Sequence, residues 1–199
     1  VMNFEELYKD ANKVFPIDFD RLQRNLDRKN FYVVVSDGET AQPEYIELSR
    51  ENYINEMLAT GSLPVLMKNP IMLNNKRKYD GGITDPLPVK KAYDMGARDI
   101  TLIRTYEETF IRKTKLENYI AALATRSYPN ISRALISNTK TYNSALEFIK
   151  NPPSDCKITQ ICPPHRLKTK RATINHSTMK ADYLLGTQTG QRFLQKFSI

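Results

Sequence analysis

The chain has 199 residues, 40% of them apolar and 26% charged, and carries a formal net charge of +8. That balance excludes a globally disordered chain and fits one globular domain with its own core. No apolar run approaches the roughly 18 residues that a bilayer-spanning helix needs, and the opening VMNFEELYKD does not read as a signal peptide.

In chain order, residues 2–13 and 18–29 have helical spacing, with Pro16 breaking them. FYVVVS (31–36) is an almost continuous apolar run and reads as a strand. DGETAQPE is a turn, and YIEL (45–48) alternates, so the pair reads as a hairpin. Ser49 is placed to cap a helix over about 50–59, with Tyr53, Ile54, Met57 and Leu58 as its apolar stripe. GSLPVL ends that helix, and IMLNNKRKYDGG (71–82) reads as a short extended hairpin running into Asp80. A helix over 88–95 follows, with Pro88 at its start and Gly96 at its C-terminal cap.

DITLIRT (99–105) reads as a second buried strand, 106–128 as diffusely helical, and 130–150 as a long amphipathic helix stopped by NPP. KITQICPP (157–164) is a third buried strand, and a final helix runs from about Ser177 to Phe197. Strands separated by helices predict an α/β layered fold with a mostly parallel sheet. No repeat, low-complexity tract or linker divides the chain, so a single domain over 1–199 is expected.

Cys156 and Cys162 flank KITQI; on one strand they stand about 20 Å apart, too far for a disulfide. They read as free buried thiols of a reducing cytoplasm. His165 and His176 read as loop residues. Neither has metal-ligand spacing with a cysteine, so neither a metal nor another cofactor is expected. The positive charges concentrate in NNKRK (74–78), RKTK (112–115) and HRLKTKR (165–171). No aromatic residues interleave them as on a single-strand-binding platform, which argues against nucleic acid. Solvated loops, then contact with anionic lipid headgroups, are favoured over nucleic acid.

In an open α/β sheet, function gathers at the carboxyl ends of strands. Asp80 stands at such an end, followed by Gly81 and Gly82, which permit backbone conformations closed to other residues. Pro86 and Pro88 then stiffen the route into the next helix. Its carboxylate reads either as a turn acid bonding nearby amides or as a working group. Asp85, just before Pro86, reads as a turn or capping acid.

The ordered set SLP (62–64), DGG (80–82), DPLP (85–88) and GA (96–97) closely resembles the second signature block of the patatin-like phospholipases. YNSALEFIKNPPSDCKITQICPP and ADYLLGTQTGQRFL resemble the C-terminal half of the bacterial, YjjU-type branch of that family. The resemblance implies a three-layer α/β/α sandwich that hydrolyses lipid or fatty-acyl esters with a Ser-Asp dyad. In that family the serine sits in G-x-S-x-G at a strand-to-helix elbow, and a glycine-rich loop supplies oxyanion amides. Carried over, Asp80 matches the dyad base, with Gly81 and Gly82 supporting it.

This sequence departs from the pattern in one large respect: it contains no G-x-S-x-G and no glycine-rich oxyanion loop. GTQTG (186–190) has Thr at the centre and falls on the last helix. Ser62 precedes the hairpin, and SDGET (36–40) reads as a turn. Both missing elements lie N-terminal to these residues in the family, and the Val1-Met2 start fits a chain lacking that part. The expectation is therefore the C-terminal portion of a patatin-like hydrolase, cytoplasmic or peripheral to a membrane and inactive alone. Its upstream segment would then be its principal partner, because a base without a nucleophile forms no acyl-enzyme. The alternative is a non-catalytic binding or interaction module.

Overall fold

The computed structural model describes residues 4–64, 71–170 and 173–197. Residues 65–70 of the expected signature block, Arg171 of the basic loop and the Val1-Met2 start lie outside them. The fold is mixed α/β, and the chain gathers into two compact units.

The first unit comprises Val1–Pro88 and Lys113–Ser144. It opens with helices α1 (Phe4–Val14) and α2 (Phe19–Leu26), parted around Pro16 as expected. Asp18 caps α2, accepting the Arg21 N–H. Strands β1 (Tyr32–Asp37) and β2 (Pro43–Glu47) form the expected hairpin, with Val34 opposite Tyr45. Helix α3 (Tyr53–Ala59) begins later than expected, at Asn52 rather than Ser49. Its buried residues are Glu56, Leu58 and Ala59, while Ile54 is exposed. Burial pushes the Glu56 carboxyl above its ordinary range, and its Oε2 has no hydrogen-bond partner among the described residues.

Strands β3 (Ile71–Leu73) and β4 (Lys76–Asp80) form a second hairpin across Asn74-Asn75. Both asparagines have positive φ, 51° and 60°, as a tight two-residue hairpin turn requires. The four strands lie in the order β2-β1-β4-β3, antiparallel throughout. The expectation of a mostly parallel sheet is therefore corrected. Two-residue and short-loop hairpins can only join antiparallel neighbours, and β1 pairs with β4 in the same sense.

The centre of this unit is Ile131, fully buried against Tyr79 and Ile83, with Tyr128, Ala134 and Leu135 packed around it. Tyr79 comes from β4, Ile83 from the turn after it, and Ile131 from the long helix α6 (Pro129–Lys150). The last residues before Asp80 and the turn after it are thus anchored on the same buried cluster. The span expected to be diffusely helical over 106–128 is helical only as α5 (Leu116–Ala124); 104–115 is irregular apart from bends and a turn.

The second unit comprises Val89–Arg112 and Ala145–Ile199. Helix α4 (Val89–Asp94) ends at Gly96, whose φ of +101° suits the glycine; the Ala97 N–H donates to the Ala92 carbonyl, closing the helix. Strands β5 (Asp99–Ile103) and β6 (Lys157–Ile161) pair in parallel, Ile100 opposite Ile158. Neither is buried as expected: all ten positions are partly or fully exposed, and Ile103 is 76% exposed. Each strand has one paired side among the described residues, so the apolar run lacks the two covering layers such strands call for. Helix α7 (His176–Phe197) completes the unit, and His176 opens it rather than lying in a loop. Cys156 and Cys162 are both free thiols, the first buried and the second partly so.

Candidate functional site around Asp80

Strand β4 delivers Asp80 to its carboxyl end opposite Val35 of the central strand β1. The backbone at Asp80 is held on both sides. Its N–H donates to the Ser62 carbonyl at 2.7 Å, and its carbonyl accepts from the Ser36 hydroxyl at 2.8 Å. The Ser36 hydroxyl also lies 2.8 Å from that of Thr84. The chain then turns through a single 3₁₀ turn, Gly81–Ile83, for which Asp80 is the N-terminal cap. Asp80 Oδ1 accepts the Gly82 N–H at 2.7 Å.

The two glycines differ in what they do. Neither has positive φ, which corrects the expectation that they supply a forbidden backbone conformation. A Cβ on Gly81 would stand 2.2 Å from the Val34 carbonyl oxygen and 2.4 Å from its carbon. Gly81 is required because the turn presses flat against β1. A Cβ on Gly82 would meet Asp80 Oδ1 at 3.0 Å, so this glycine leaves room for the carboxylate itself.

Further groups pin the same turn, and no spacing in the sequence announced them. Asn138 of α6 is buried and donates through Nδ2 to the carbonyls of Gly82, 2.6 Å, and Ile83, 2.9 Å. Thr60 donates at 2.6 Å to the Val34 carbonyl against which Gly81 packs. Asp85 receives the Tyr45 hydroxyl at 2.5 Å, and its N–H reaches back to the Gly81 carbonyl at 2.8 Å. The Asp85 carboxylate thus holds Tyr45 of β2 rather than a turn or helix amide, which corrects the expectation of a turn or capping acid. Ser62 lies under the Asp80 N–H, fully buried, and its hydroxyl has no hydrogen-bond partner among the described residues.

Two residues earlier on the same strand, Lys78 is buried between two carboxylates, with Asp37 Oδ2 at 2.8 Å and Glu44 Oε1 at 2.7 Å. Burial alone would raise the Asp37 pKa. The Lys78 ammonium and the amides of Thr40 and Glu39 outweigh it and hold the carboxyl well below the usual range. Burial likewise pulls Lys78 down, but its hydrogen bonds and the charges of Asp37 and Glu44 push it above its ordinary value. This locked triad fixes the ladder that carries Asp80. SDGET is the turn it was expected to be, with Asp37 accepting from the Glu39 and Thr40 amides.

GTQTG lies within helix α7, as expected, and forms no elbow. Among the described residues no group of three or more His, Cys, Asp or Glu side chains is arranged to hold a metal ion. No described helix is long and apolar enough to cross a membrane.

Residues 128–198 match a domain of unknown function, DUF6363. The chain is also similar to the uncharacterized protein YjjU of Escherichia coli (strain K12), at 25% identity over 186 residues. That alignment takes in 90% of this chain and 51% of YjjU, so the chain spans about half the length of the curated relative it matches. The expected kinship with YjjU-type proteins is supported at this level.

Proposed function

We propose that these residues form the C-terminal portion of a patatin-like acyl-ester hydrolase in which Asp80 is the general base. In this reading the fold is completed as a three-layer α/β/α sandwich by sequence corresponding to the rest of YjjU. That sequence supplies a nucleophilic serine and the oxyanion amides. The observation that carries the reading is the mounting of Asp80. It stands at a strand end with its backbone bonded to Ser62 and Ser36, and the turn after it is pressed on Val34 and clamped by Asn138.

The chemistry follows from that mounting. Asp80 takes the proton from the serine hydroxyl as the oxygen attacks the ester carbonyl carbon. The tetrahedral oxyanion collapses, the alcohol leaves with the proton that Asp80 took, and an acyl-serine remains. Water then attacks the acyl carbon as Asp80 takes its proton, and the fatty acid is released as Asp80 returns that proton to the serine oxygen. The substrate class is a lipid or fatty-acyl ester, and no cofactor enters any step. We place the protein in the cytoplasm, touching anionic membrane surfaces through its basic loops.

The test uses the full-length protein with a chromogenic acyl ester. Asp80→Asn is expected to lower the rate by roughly 10²–10⁴-fold, the usual contribution of a general base. Asp94→Asn, which removes an exposed carboxylate paired with Lys90 outside the Asp80 turn, should leave the rate nearly unchanged. Full activity in Asp80→Asn, or an acyl burst from the 199-residue chain alone, would sink the proposal.

One observation favours a second reading, a non-catalytic interaction module. The Asp80 carboxylate caps its own turn through the Gly82 N–H, a sufficient structural use for it. On that reading the full-length protein hydrolyses no ester, and Asp80→Asn lowers stability alone.

A further inference from the structure

Every residue lining a cavity of about 230 Å³ in the second unit falls inside the stretch that matches the domain of unknown function. The cavity lies at the carboxyl end of the parallel pair, where Ile161 closes β6 and Cys162 and Pro164 leave it. In parallel sheets this is the end at which ligands bind. Its other wall is helix α7.

The α7 residues at that wall are Thr189, Arg192, Phe193 and Lys196. Their spacing, i, i+3, i+4, i+7, is that of one helix face. A helix face turned to a strand is ordinarily apolar. Here two of its four positions, both exposed, carry cationic side chains. Lys196, in the last turn, is also favoured by the helix dipole, but Arg192 stands a full turn earlier, where that effect has faded. A third cation backs the wall: the buried Arg104 donates at 2.8 Å to the side-chain oxygen of Gln160, a lining residue. Glu108 is the carboxylate whose charge is felt at Cys162, against that of Arg104.

The cavity does not look like a place for covalent chemistry. Burial pushes the Cys162 thiol upward, and Glu108 adds to this against Arg104, so the sulfur stays protonated at neutral pH and is a poor nucleophile. What remains is a small recess lined by two cationic side chains, an amide, a hydroxyl and the apolar Ile161 and Phe193. We propose that it binds a small phosphomonoester. The phosphate would lie against Arg192 and Lys196, the pairing that Arg's fork and Lys's point charge favour, and a short carbon group against Ile161 and Phe193. The site uses no residue of the Asp80 turn, so it stands or falls apart from the hydrolase reading.

The test follows backbone amides and arginine side-chain N–H signals of the full-length protein by NMR during titration. Three probes are used: inorganic phosphate, glycerol 3-phosphate, and vesicles containing phosphatidic acid against vesicles of phosphatidylcholine alone. Saturable shifts confined to 160–164 and 189–196 are expected, with a dissociation constant near or below about 1 mM. Saturation by the soluble probes identifies a free phosphomonoester as the source. Binding only to phosphatidic acid vesicles identifies a lipid headgroup. The double variant Arg192→Gln/Lys196→Gln should weaken binding by about tenfold or more. Lys90→Gln/Lys180→Gln, which removes the same charge at exposed positions away from the cavity, should leave it unchanged.

Three results would overturn the proposal. The first is no saturable shift with any probe. The second is an equal response to chloride at matched ionic strength. The third is equal weakening by both double variants, which makes the effect one of net charge. If Arg192→Gln/Lys196→Gln does not fold, Thr189→Tyr fills the recess from the helix and should abolish the shifts.

Discussion

At Gly81 an added methyl carbon would sit 2.2 Å from the Val34 carbonyl oxygen, and both partners there are backbone. Neither has a flexible end to move aside. Gly81→Ala is therefore expected to part the turn from β1 and to cost about 3 kcal/mol, the upper range for overpacking a closed site. Gly82→Ala differs: its new carbon meets the Asp80 carboxylate at 3.0 Å, and a side chain can rotate. It should cost under about 1 kcal/mol by the same scale, yet displace the carboxylate that the hydrolase reading depends on. Urea unfolding of both variants of this chain, beside ester turnover of the full-length pair, separates the two effects. Equal unfolding midpoints for Gly81→Ala and wild type would show that the close approach is absent. Sequence drew the eye to Asp-Gly-Gly through glycine's conformational freedom. The actual cause at Gly81, contact with a strand more than forty positions earlier, is a distance in space that no local pattern carries. The same holds for Asn138, which lies more than fifty residues beyond the carbonyls it clamps.

Among the elements, those defined by local chemistry were legible. The Asn74-Asn75 hairpin, the Gly96 stop of α4 and the Asn151-Pro152-Pro153 stop after α6 all stand where sequence puts them. Strand direction was less legible, because the parallel inference rested on strand–helix alternation, which holds only for β5 and β6. The ladder beneath Asp80 depends instead on a buried charge that reads in sequence as part of a solvated basic run. Lys78 is opposite Asp37 in the β1–β4 register and pairs with it at 2.8 Å. Lys78→Met leaves Asp37 buried without its main counter-charge and should cost about 3–5 kcal/mol; Asp37→Asn in the same chain should recover part of it. The pH dependence has a definite sign. Asp37 is depressed in the fold, so its contribution is present above the unfolded pKa of about 3.9 and is lost as pH falls through the folded value. Lys78 is raised, so its contribution is present below the unfolded pKa of about 10.4 and is lost as pH rises through the folded value. Urea midpoints measured across pH should fall at both ends in the wild type. Lys78→Met should be lower between those limits, with both the alkaline fall and the acid fall reduced. An unchanged profile would mean the triad contributes nothing to folding.

For the whole chain, the side chains left exposed matter more than the net charge of +8. On α5, Leu116, Tyr119, Ile120 and Leu123 are spaced as one helix face and are 53% to 74% exposed. Separately, β5 exposes Ile103 and presents an apolar run beside a single parallel partner. A face of that kind on a free-standing monomer is unusual, and parallel strands are ordinarily covered on both sides. The chain also spans about half of YjjU, and on the proposed reading sequence matching the other half would cover the exposed surfaces. The 199-residue chain alone is accordingly expected to bind an apolar fluorescent dye and to self-associate as concentration rises in the ultracentrifuge. Co-expressed with a segment matching the remainder of YjjU, it should instead form a one-to-one complex with little dye binding and a higher unfolding midpoint. Leu116→Glu/Leu123→Glu should relieve self-association of the chain alone while weakening that complex, because one face serves both. A chain that stays monomeric and dye-free at high concentration, and gains nothing from the added segment, would show that these side chains are tolerated in water.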